Sequence, residues 1–204
     1  LPINFITASC VISNQKVFKN GQLLYESNAA DTGTFLTEVY KHFQINYPKF
    51  YKMDNLSKLG LLCNDLLISG SDLKYTYQPN EIGLVLSNAN ASLDADIRYI
   101  ESTKTIASPA LFVYTLPNIV IGEISIRHQF KGENAFFIFE QFDADFIQQY
   151  VNNLLNNNIL QACICGWVEI VGNEYKAVLY LAEKNKSNNS IPFDTENSKK
   201  IYQL

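Results

Sequence analysis

An α/β fold, a mixed sheet flanked by helices, is predicted by three observations. Apolar, β-prone runs at residues 3–12, 81–88 and 134–139 alternate with stretches whose apolar residues recur every three or four positions. That alternation is the signature of strands interleaved with helices. Near the end, two apolar runs at 160–171 and 174–183 flank Gly172-Asn173, a pair that marks a hairpin. Finally, 204 residues with 47% hydrophobic and 18% charged side chains suffice to bury a core as one globular domain.

The elements follow in order. Residues 3–12 are apolar and β-branched and form the first strand. Residues 14–53 are mixed and rich in aromatics, with turn signals at Asn20-Gly21 and Asp31-Thr32-Gly33. Asp54 then opens a helix with Leu56, Leu59, Cys63, Leu66 and Leu67 on one stripe, and Gly70 stops it. After the strand at 81–88, Ser92 is placed to cap a short helix. Its first turn carries Asp94 and Asp96 at the positive end of the dipole. A helix is expected over 110–130, then a buried strand at 134–139. Asp143 caps the next helix, with Phe146, Ile147, Tyr150, Val151, Leu154 and Leu155 on one face. Residues 1–183 therefore make the domain. Residues 184–204, polar and rich in Asn and Ser, read as a mobile tail.

Composition excludes several partners. A net charge of −4 and only two arginines, Arg98 and Arg127, argue against nucleic acid. The longest apolar candidate, 110–126, is interrupted by Thr115, Pro117, Asn118 and Glu123, so no membrane span is expected. The visible start carries no signal-peptide pattern, and a cytoplasmic protein is expected. The four cysteines sit in apolar stretches as small hydrophobes, Cys163 and Cys165 on one face of a strand. Their spacing suits neither a zinc site nor a disulfide framework, which fits a reducing compartment. No metal and no cofactor are expected. The isolated glycines form no phosphate-binding loop. Ser108, before Pro109, reads as a turn or helix cap, because no His-Asp arrangement supports it as a nucleophile. Asp94, Asp96, Glu101, Glu123 and Glu140 have no acid/base pairing; Glu140 is either a surface carboxylate or a contact beside a turn.

The stretch 108–141, SPALFVYTLPNIVIGEISIRHQFKGENAFFIFEQ, resembles the core of a β-ketoacyl synthase. In that family a Ser-Pro-x-x-Phe segment leads into a Pro-Asn helix and a Gly. A Gly-x-Asn turn and a strand ending on the nucleophilic cysteine follow. Ser108, Pro109, Phe112, Pro117, Asn118, Gly122, Gly132 and Asn134 match, and Gln141 stands where the cysteine would fall. A condensing enzyme holds its acyl chain as a thioester, and a helix N-terminus supplies the thiolate by favouring negative charge. A carboxamide has no such chemistry. The resemblance also implies two histidines after the cysteine, whereas His42 and His128 both precede Gln141. A structural role is expected for His42 and a surface or interface role for His128.

What the resemblance implies is half of a thiolase-like (ketosynthase) fold, the N-terminal half. Its function is then that of a non-catalytic subunit. It resembles the chain length factors of polyketide and aryl-polyene pathways, which partner an active ketosynthase and meet an acyl carrier protein. Two alternatives are a malonyl-carrier decarboxylase of the Gln-bearing type and an orphan acyl- or carrier-binding protein; if isolated, the chain could form a homodimer. The family's strand before the nucleophile pairs across a dimer axis. The resemblance thus assigns Phe136, Phe137, Ile138 and Phe139, with Pro117 and Asn118, to an interface, and no catalysis to the chain alone.

Overall fold

The structure is a computed structural model that describes residues 3–187 and 189–204. Strands β1 (Phe5–Ser13), β2 (Lys16–Lys19) and β3 (Gln22–Glu26) form an antiparallel meander. Its second turn is Asn20-Gly21, with φ of 50° and 76°, as the residue pair predicts. Helix α1 (Thr32–His42) starts where the Asp31 side chain accepts from Thr34 N. Helix α2 (Asn55–Ile68) starts on Asp54, which accepts from Leu56 N at 3.2 Å and Ser57 N at 3.1 Å. After the short α3 (Leu73–Thr76), strand β4 (Ile82–Asn88) is buried along its whole length. Helices α4 (Leu93–Thr103), α5 (Pro109–Phe112) and α6 (Ile119–His128) then lead to strand β5 (Asn134–Ile138). Helix α7 (Ala144–Asn156), the hairpin β6 (Ala162–Val171) and β7 (Glu174–Glu183), strand β8 (Ile191–Pro192) and helix α8 (Thr195–Tyr202) complete the order.

The strands make one mixed sheet in the order β3-β2-β1-β7-β6-β4-β5, with β8 paired to the start of β1. β4 runs parallel to both β5 and β6, and the remaining pairs are antiparallel. One face is covered by α1, α2 and α6, through residues such as Phe35, Leu59, Leu62 and Ile124. The other is covered by α7 and the C-terminal segment, through Ile147, Val151, Leu155 and Phe193. At the centre, Gly166 has φ +143°, and a Cβ there would lie 2.0 Å from the Val178 carbonyl oxygen. Only glycine lets β6 and β7 pair through that point.

Four expectations are corrected. The helix expected over 110–130 is two helices, because Pro117 has no amide hydrogen to give and disfavours a helical Leu116. Ser92 precedes α4 without a side-chain cap bond; its hydroxyl bonds the Asp96 carboxylate instead, at 3.2 Å. The strand expected to be buried at 134–139 is a half-exposed edge strand. Of the tail expected to be mobile from 184, the part from β8 through α8 docks. Asp194 caps α8 through Asn197 N at 2.8 Å, Phe193 is 3% exposed, and Tyr180 donates to Ser198 O at 2.8 Å. A few apolar anchors in a polar segment are enough when a sheet face is waiting for them.

Candidate functional site

β5 ends the sheet. Its inner edge pairs with β4 in the register Leu84↔Asn134 to Asn88↔Ile138. Among the described residues no strand pairs with its outer edge. Strand alternation sends its side chains to both faces. Phe137 packs on α7, 4.8 Å from Phe146 and 5.1 Å from Tyr150 between ring centroids. Phe139, one residue past the strand, joins the same aromatic group at 5.1 Å from Phe146. Phe136 packs on the opposite core, while Ile138 extends beyond it and is 49% exposed.

The bend from β5 into α7 is built from below. Phe142 stacks on Tyr202 at 4.6 Å and meets Trp167 at 6.1 Å, and Asp143 accepts from Phe146 N at 2.9 Å to start α7. Gln141 lies on this bend, exposed, with Glu140 also exposed beside it. At the other face, Pro117 and Asn118 stand at the head of α6, a helix that packs on α2. The structure therefore joins Phe136–Phe139 and Gln141 in one strand-and-bend unit. It sets Pro117 and Asn118 on a different element.

The bend itself carries no thiol. All four cysteines are free and buried, and burial pushes the Cys63 and Cys165 thiols well above their ordinary range, the opposite of an activated nucleophile. Cys163 and Cys165 share the α7 face of the sheet, as their spacing predicts. Ser108 is a helix cap, accepting from Leu111 N at 3.3 Å. No cluster of metal-ligating side chains occurs among the described residues.

The histidines are committed elsewhere. His42 is exposed and lies against Tyr25, with ring centroids 4.3 Å apart. His128, expected in a surface or interface role, is half-buried, its side chain 9% exposed, with Nε2 2.6 Å from Asp65 Oδ1. The same carboxylate takes Arg127 at 2.6 Å, and Arg127 lies 4.7 Å over the Tyr47 ring. Burial drives the Asp65 carboxyl up, but the His128 and Arg127 hydrogen bonds and charges outweigh it and hold it below its ordinary 3.8. The α6 sequence Arg127-His128 hid this role, because the partner lies 62 residues earlier on α2.

No family model and no curated protein matches this sequence. Solved structures do. The chain superposes on "the ishigamide ketosynthase/chain length factor" with a TM-score of 0.67 at 16% identity, over 93% of this chain and 64% of that one. The fold is a ketosynthase's. A second match is the AntDE:AntF complex, a type II polyketide synthase carrier protein with its ketosynthase bound to the hexaketide. There the TM-score is 0.60 at 14% identity, over 90% and 62% of the two chains. A third is the ketosynthase ApeO in complex with its chain length factor ApeC from Xenorhabdus doucetiae, with a TM-score of 0.55 at 12% identity, over 92% and 81%. This chain thus spans less than two thirds of the first two, a partial thiolase-like fold. No helix is long and apolar enough to cross a membrane among the described residues.

Proposed function

We propose that this chain is a non-catalytic ketosynthase-like subunit, of the chain-length-factor kind, that partners an active ketosynthase. The observation that carries the reading is the open outer edge of β5, set directly before an exposed bend that holds Gln141 and no thiol. An unpaired strand edge bearing Phe136, Phe137 and Ile138 with no charge is a template for another strand. The ketosynthase partner's own strand is the natural occupant, making one continuous sheet across two subunits.

On this reading Gln141 takes the place of the nucleophilic cysteine, and the subunit acts by shape. It walls one side of the partner's acyl site and limits the chain that fits, with each methylene worth roughly 1–3 kcal/mol of discrimination. The acyl carrier protein delivers the chain to the partner, in the cytoplasm, and this chain needs no cofactor for its part.

The test is co-expression with an active ketosynthase and its carrier protein, read by size-exclusion mass and by product chain length. A stable hetero-complex whose product length changes when this subunit is omitted supports the reading. A chain that ignores active ketosynthases overturns it, and malonyl-carrier decarboxylation by the isolated chain would favour an enzyme instead. The variant Gln141→Cys is expected to give no chain elongation alone, because His42 and His128 are held away from the bend by Tyr25 and Asp65.

A further inference from the structure

A cavity of about 490 Å³ opens where the chain after α1, the end of α2, α3 and the last turn of α6 meet. That volume lies in the range that holds small organic ligands. The cavity is remote from the bend that holds Gln141. The turn after α6 is tied to the start of β4, with Lys131 N donating to Pro79 O at 2.8 Å and Gly132 N to Ile82 O at 3.1 Å. The bend is tied to the other end of that strand, where Phe139 N donates to Asn88 O at 2.9 Å. The seven residues of β4 separate the two, roughly 20 Å.

The lining is of two kinds. Leu66 and Leu73 form a buried floor, and Phe43, Ile45 and Ile68 are half-buried, packed on the core with the rest of their surface left open. The charged groups are Asp65, Lys74, Arg127 and His128. Asp65 is already engaged, by Arg127 at 2.6 Å and by His128 at 2.6 Å. Lys74, on the exposed side of α3, makes no ion pair among the described residues. Partial burial lowers its ammonium from the ordinary 10.5, Asp65 raises it and Arg127 lowers it again, so the three charges lie within reach of one another. Lys74 and Arg127 against Asp65 leave the wall one positive charge in excess, before any proton on His128.

An apolar floor beside a cationic wall suits a molecule with one anionic group on an apolar body. The body covers side chains that otherwise face water, and the anion relieves the repulsion between Lys74 and Arg127. A single excess charge matches a monoanion better than a phosphate dianion.

We infer that this cavity binds a small carboxylate with an apolar body, the carboxylate at Lys74 and the body over Phe43, Ile45 and Ile68. It is a site separate from the bend, and the inference stands apart from the function proposed above.

The experiment titrates the full chain with octanoate and with hydrocinnamate, an aliphatic and an aromatic carboxylate, and follows amide shifts by nuclear magnetic resonance. The tighter of the two is expected to bind at about 1 mM or better, with shifts grouped on the end of α2, α3 and the end of α6. Octanol has the body without the charge and is expected to bind about fivefold more weakly than octanoate. Acetate has the charge without the body and is expected to show no binding. Lys74→Glu reverses the charge of an exposed residue and is expected to lower carboxylate affinity about fivefold or more, with octanol unchanged. Ile68→Asp is expected to remove both kinds of binding; should it unfold, Lys74→Glu carries the test. Failure of both carboxylates to bind overturns the inference, as does binding of octanol or acetate equal to that of octanoate. Carboxylate binding left unchanged by either folded variant lies elsewhere on the molecule and overturns it as well.

Discussion

The two ends of the sheet are finished in different ways. At one end, β2 and β3 are short, their pairing slips at Val17/Phe18, and Lys16 meets Glu26 at 3.2 Å across the ladder. Leu23 and Leu24 are exposed there, but Gln22 and Glu26 bracket them. A slipped, charged, short hairpin is how a sheet edge avoids joining another chain. The other end is Asn134-Ala135-Phe136-Phe137-Ile138, in regular register with β4 and without a charge. The contrast teaches that the β5 edge is unprotected by design of its sequence, because the same molecule carries the means of protection at its opposite end.

The comparison can be broken at three points. The largest effect is expected between the ends, at Gly166→Ala, where the new methyl would lie 2.0 Å from Val178 O and the residue keeps a φ of +143°. Destabilisation of about 3 kcal/mol or more is expected from backbone strain and overpacking. For a chain of this size that lowers the unfolding midpoint by roughly 6–12 °C. A midpoint unchanged in differential scanning calorimetry would mean that the central pairing is looser than described, and the two ends could not then be compared as parts of one rigid sheet.

The decisive comparison uses two residues of equal exposure. Ile138 on β5 and Leu23 on β3 are each 49% exposed. Lysine at either position is expected to cost the isolated chain under about 1 kcal/mol. Ile138→Lys is expected to weaken ketosynthase binding at least tenfold, about 1.4 kcal/mol, and Leu23→Lys to leave it alone. Equal losses from both, measured by titration calorimetry, would abolish the distinction between the ends.

The smallest effect concerns pH and lies at neither end. Asp65 is held below its ordinary carboxyl value by His128 and Arg127 against its own burial. Its contribution is therefore complete above pH 3.8 and is lost as pH falls through the lower folded value. Both lysine variants are expected to keep the parent's acid limb, and Asp65→Asn to flatten it in chemical denaturation between pH 4 and pH 2. An acid limb that follows the edge variants and not Asp65 would place the acid-sensitive group in the sheet ends.

Much of the fold was readable before the structure because its signals are local. Asp54, Asp143 and Ser108 cap the helices assigned to them, and Gly172-Asn173 turns the β6–β7 hairpin. A capping carboxylate answers to amides two or three residues away, and a two-residue turn answers to its own φ values, so sequence order carries the information. The spacing of Leu93, Ile97 and Ile100 was equally available, but a periodic stripe marks a helix face without saying whether the face turns inward.

What the tertiary structure alone decided depends on distant partners. β5 lies at the edge because no strand of the described residues takes the far side, and a strand's sequence does not state its place in the order. His128 is paired because Asp65 arrives from another helix, and α4 turns its aliphatic stripe outward while Asp94 turns inward to accept from Gly172 N. The C-terminal segment docks because the sheet face beyond α7 offers Phe193 and Tyr202 a place to be buried. Periodicity and capping act over one or two turns of chain, whereas burial and pairing are settled only when elements far apart in sequence compete for the same faces.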